Sequence, residues 1–68
     1  MQRDPVEKTL RYILVEKKVD QEVRKKIGNG GYLGYCHRFW ALKQRILKEE
    51  YGIDWKSPAE MNPDWFFD

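Results

Sequence analysis

The stretch Leu33-Gly34-Tyr35-Cys36-His37-Arg38-Phe39-Trp40-Ala41-Leu42-Lys43-Gln44-Arg45-Ile46-Leu47-Lys48-Glu49-Glu50-Tyr51 decides the fold of this 68-residue chain. Leu33, Cys36, Phe39, Trp40, Ile46, Leu47 and Tyr51 recur at helical spacing and share one broad face, while Arg38, Arg45 and Lys48 take the other. Its ends are marked in the sequence. Gly28-Asn29-Gly30-Gly31 upstream is too permissive in backbone to continue a helix, and Gly52 follows the last apolar position as a left-handed stop. The reading is a long helix over Leu33 to Tyr51, with Trp40 at the centre of its inner face and Cys36 buried beside it.

Beyond Gly52, Ile53 is placed to fold back near Leu47, the apolar contact that accompanies a Schellman ending. Ser57-Pro58-Ala59-Glu60 is a capping box with proline at the first helical position, and the turn it opens ends at Asn62-Pro63. Toward the N-terminus, Asp4-Pro5-Val6-Glu7 opens a first helix, with Asp4 as cap and Glu7 set to bond back. Val6, Leu10, Ile13 and Leu14 give that helix one apolar stripe. Val19, Val23 and Ile27 fall off the stripe by about 100° or more, so a break near Lys17 to Asp20 is expected, with Asp20 capping a second short helix. Arg24, Lys25 and Lys26 then lie in a last turn, where cations suit the helix dipole. The expected architecture is a small all-α, three-helix domain, closed by Trp65, Phe66 and Phe67 laid between Asp64 and Asp68 as a lid.

Composition limits what the chain can be. A domain of this size buries only about 60% of the surface its unfolded chain exposes, so its three Trp, four Tyr and three Phe must carry much of the core. Cys36 is the single cysteine, which excludes an intrachain disulfide and gives no Cys/His framework for zinc. No apolar run approaches the roughly 18 residues of a membrane span, and Met1 to Pro5 lead into an amphipathic segment instead of a signal-peptide core. A cytoplasmic protein without cofactor or metal is expected. Net charge is +2, but residues 1–30 carry +3, residues 31–50 carry +2 and residues 51–68 carry −3.

Four constellations invite a functional reading. The adjacent thiol and imidazole of Cys36 and His37 suggest a nucleophile with its base, yet neighbouring helical side chains diverge by about 100°, and nothing in sequence is placed to orient the imidazole. No enzyme is expected from this pair. The glycine turn could cradle an anion at a helix start, but neither a preceding strand nor a Gly-Lys-Ser/Thr ending accompanies it, so it reads as an interhelical turn. Tyr32 and Tyr35 beside that turn, with Trp65 and Phe66 in the tail, are the candidate contacts for a protein partner. Arg24, Lys25 and Lys26 with Arg38 and Arg45, seconded by Lys17, Lys18 and Lys48, are the candidate contacts for nucleic acid in a helix-turn-helix outline. Asp20, Glu22, Glu49 and Glu50 dilute that positive field, which puts protein binding first and nucleic-acid binding second.

The segment from Gly34 to Pro63, with Gly34-Tyr35-Cys36-His37-Arg38-Phe39-Trp40 and the run Ile46-Leu47-Lys48-Glu49-Glu50-Tyr51-Gly52-Ile53-Asp54-Trp55-Lys56-Ser57-Pro58-Ala59-Glu60-Met61-Asn62-Pro63, resembles a group of short bacterial proteins of unknown function. The resemblance implies a bacterial or phage origin and carries over no functional residues. A small regulatory or interaction module is the resulting expectation.

Overall fold

The computed structural model describes residues 2–67. Among these, a 3₁₀ turn at Pro5–Lys8 leads into α1 (Leu10–Ile27), α2 (Tyr35–Tyr51) and the one-turn α3 (Pro58–Met61), with no strand. The fold is all-α, with two long helices and not one. Asp68, the last residue of the expected lid, lies outside the described residues.

The N-terminal helix differs most from its expectation. Asp4 does cap, accepting from the Val6 amide at 3.0 Å, but the helix it opens is the 3₁₀ turn, and Thr9 caps α1 afresh by accepting from the Tyr12 amide at 3.4 Å. The break near Lys17 to Asp20 is absent, and α1 runs unbroken for 18 residues. Leu10, Ile13 and Leu14 face outward at 69%, 57% and 72% exposure, while Tyr12, Val19 and Val23 are buried. Once Tyr12 is the first inner residue, Val15, Val19, Val23 and Ile27 continue its face at three- and four-residue steps, so no repair is needed. Val23 and Ile27 do turn inward, and Arg24, Lys25 and Lys26 do occupy the last turn.

α2 begins at Tyr35, two residues later than expected, because Gly34 sits in the left-handed region at φ 80° and leaves Leu33 exposed outside the helix. Its far end follows the sequence. Gly52 has φ 64°, its amide donates to Lys48 O at 3.1 Å, and the Ile53 amide donates to Leu47 O at 2.9 Å while the Ile53 side chain is buried. The capping box at Ser57 and Glu60 is also complete in both directions.

The core is Tyr12, Val19 and Val23 of α1, Ile46 and Leu47 of α2, and Ile53 and Trp55 of the following segment. Trp55, at 2% exposure, takes the central place assigned to Trp40, which is only half-buried, as is Cys36. The backbone after Gly52 folds back and adds Ile53 and Trp55 to the same core. Bonds between sequence-distant polar groups hold that return path. The Trp55 indole donates to Glu7 Oε2 at 2.8 Å, the Lys56 amide to Asp4 Oδ2 at 2.8 Å, and the Asn62 amide nitrogen to Gln2 O at 2.7 Å. Glu7 therefore does not bond back to its own helix start; its other oxygen accepts from Arg3 Nε at 2.8 Å.

Candidate functional site

The first turns of α2 carry aromatic side chains on both flanks, because Tyr35 and His37 stand about 200° apart on the cylinder. On one flank the Tyr35 hydroxyl donates to Gly28 O at 2.6 Å, and its ring packs against Phe39 at 6.0 Å between centroids. That bond fastens the glycine turn to α2, so Tyr35 is committed to the fold and the turn serves as an interhelical connection. Tyr32 stands edge-on to Tyr35 at 5.5 Å, half in solvent, and its hydroxyl accepts from Arg38 at 3.4 Å.

On the other flank the tail is moored to α2. The Trp65 amide donates to Asn62 O at 3.0 Å, His37 Nε2 donates to the Phe67 carbonyl at 2.8 Å, and the Phe67 ring meets Trp40 edge-on at 5.1 Å. Only Phe67 acts as the expected lid. Trp65 stacks on the Phe67 ring at 6.4 Å between centroids yet stays more than half exposed, and Phe66 is fully exposed, on a backbone held on either side. The four candidate partner residues therefore divide into two groups, Tyr32 with Tyr35 and Trp65 with Phe66, which the structure does not merge into one patch.

His37 is engaged by Phe67 and Trp40 and stands as a mooring point for the tail. Among the described residues, no cluster of three or more His, Cys, Asp or Glu side chains gathers as a metal ion would require, and no helix is long and apolar enough to cross a membrane. The candidate phosphate contacts are partly drawn together. The Arg24 guanidinium lies over the Phe39 ring at 5.5 Å, bringing the end of α1 to the helix that carries Arg38 and Arg45, and these two border an open hollow with Ile27 and Leu42. Lys25 and Lys26 are exposed, and Arg45 is paired with Glu49 at 3.3 Å.

Two features escape a reading of the sequence. One is Lys43, buried with its ammonium 3.0 Å from Asp20 Oδ1 and set over the rings of Tyr12 and Trp55 at 5.3 and 4.9 Å. The other is a concavity between α2 and the return segment, lined by Asp4, Gln44, Arg45, Lys48, Trp55 and Glu60. Gln44 spans it by donating to Trp55 O and to Glu60 Oε1, both at 2.8 Å. Its wall mixes cations and carboxylates, among them Lys48 and Asp54 paired at 3.4 Å. No family model, curated protein or solved structure matches this chain.

Proposed function

We propose that the chain is a small, non-enzymatic interaction or regulatory module, of bacterial or phage type and cytoplasmic, that binds a protein partner through Trp65 and Phe66, with Tyr32 and Tyr35 on the opposite flank of α2 left outside that contact. The observation that carries this reading is the fully exposed Phe66 ring, held between a half-exposed Trp65 and a Phe67 packed on Trp40. A domain short of apolar area gains by burying every aromatic it has, so two rings left in water on an anchored backbone have the character of interface anchors. The mooring through His37 lowers the ordering cost of binding, since the backbone that presents the rings is already placed. The test is affinity capture from native cells with and without nuclease. A protein retained after nuclease, and lost with Trp65→Ser/Phe66→Ser, supports the reading; a capture indifferent to both rings overturns it.

Binding to nucleic acid is the second reading, favoured by Arg24 crossing to α2 over Phe39 so that it joins Arg38 and Arg45. Cations that neutralise phosphates release condensed counterions, so log affinity for duplex DNA would fall with log salt at about −0.9 per phosphate contacted. With Arg45 already paired to Glu49, binding no tighter than about micromolar at physiological salt is expected. Tight, steeply salt-dependent binding that is lost in Arg24→Ala/Lys25→Ala/Lys26→Ala would promote this reading over the first.

A further inference from the structure

α1 is apolar on two faces. The inner one builds the core, and the outer one carries Leu10, Ile13 and Leu14, three large aliphatic side chains at i, i+3 and i+4 that are each more than half exposed. This outer face is not flat, because Leu14 borders a hollow formed with Val15, Arg11, Tyr51 and Ile53. One turn further along, the face changes character: Lys17 and Lys18 are exposed, and neither makes an ion pair among the described residues. Lys25 continues the same positive row.

We infer that this outer face of α1 receives an acidic amphipathic helix from another protein, its apolar anchor seated in the hollow beside Leu14 and its carboxylates, one turn away, facing Lys17 and Lys18. The order of the face argues for that occupant. An apolar patch followed by cations along one helix row is complementary to a helix whose apolar residues are followed by Asp or Glu. A second copy of the chain fits poorly: paired antiparallel about Ile13 and Leu14, each Lys17 would lie on the other copy's Leu10, and paired parallel the lysines would meet. An anionic bilayer also takes aliphatic anchors beside lysines, whose ammonium groups snorkel to the headgroups, so vesicles form a separate arm of the test. This surface is separate from Trp65 and Phe66, so it adds a second contact to the proposed partner binding and rests on that reading only for the class of partner.

The test is selection of the intact protein against a displayed library of amphipathic peptides of about five turns, with acidic and basic residues both allowed beside the apolar stripe. Enrichment of acidic peptides is expected, with affinity falling roughly tenfold or more in Leu10→Gln/Ile13→Gln/Leu14→Gln and again in Lys17→Glu/Lys18→Glu. Both sets are on the surface, and unchanged melting of each variant shows that the core is intact. Peptides that ignore these variants but lose binding in Trp65→Ser/Phe66→Ser would overturn this inference and leave the proposed function standing. Absence of enrichment would overturn it, as would a concentration-dependent dimer dispersed by the glutamine set. Binding of the same face to phosphatidylserine vesicles without any selected peptide would also overturn it, in favour of a membrane surface.

Discussion

The ammonium of Lys43 and the carboxylate of Asp20 meet at 3.0 Å between α2 and α1, with the Tyr12 and Trp55 rings on the cation. A charge taken out of water in so small a domain is tolerable only with such partners, and removing one of them strands the other. Lys43→Ala is expected to destabilise the domain by about 3 kcal/mol. Lys43→Met/Asp20→Asn, which removes both charges and keeps the volume, should recover most of that loss, as read from urea midpoints at constant slope.

Trp55 and Trp40 divide two roles that one residue was expected to fill. Trp55 is buried and bonded to Glu7, whereas Trp40 is half-buried under Phe67. Trp55→Ala should cost about 3 to 5 kcal/mol, enough to exhaust a small domain. Trp40→Ala should cost about half as much, since less of the ring leaves water on folding. Equal thermal shifts in the two variants would contradict this assignment.

Gly52 ends α2 in the left-handed region, and a β-carbon there would meet only the end of the Arg11 side chain, at 3.7 Å. Space is therefore not the constraint. Gly52→Ala should cost about 1 kcal/mol through backbone strain alone, and Gly52→Asn less, because asparagine tolerates this conformation. Equilibrium unfolding of the two variants side by side checks the order.

The parts of the fold legible in sequence are those set by local chemistry. Gly52-Ile53 and Ser57-Pro58-Ala59-Glu60 act within a few residues, and both form as their residues dictate. The inner face of α1 is different, because its sequence supports two stripes, one through Leu10, Ile13 and Leu14 and one through Tyr12, Val19 and Val23. Aliphatic residues weigh more than tyrosine in hydrophobic periodicity, so the local pattern favours the stripe that lies in water. The choice is made by Ile53 and Trp55, more than 25 residues away, whose return path no local signal announces. Lys43 was illegible for the same reason: its place on α2 is ordinary until Asp20 and two rings from elsewhere converge on it. Of the candidate site, the exposure of Phe66 depends on His37 and Trp40 mooring Phe67, on which Trp65 stacks, another contact between distant segments.

Burial pushes the Tyr12 phenol well above the ordinary tyrosine range, with the Glu16 carboxylate adding to the shift. The folded state thus keeps its proton after the unfolded chain has begun to ionise near pH 10. Stability from this group is complete below that pH and is lost as pH rises above it, because unfolding then releases one proton. Urea midpoints taken through the alkaline range should fall more steeply for the parent than for Tyr12→Phe. Parallel curves would show that Tyr12 ionises alike in both states.

If Phe66 lies at a protein interface, photo-crosslinking from that position in native cells captures the partner. With a benzophenone amino acid replacing Phe66, and a control placing it at the exposed Glu49 on α2, a discrete protein adduct that survives nuclease is expected from position 66 alone. Adducts dominated by nucleic acid, or the same adducts in equal yield from positions 66 and 49, would contradict it.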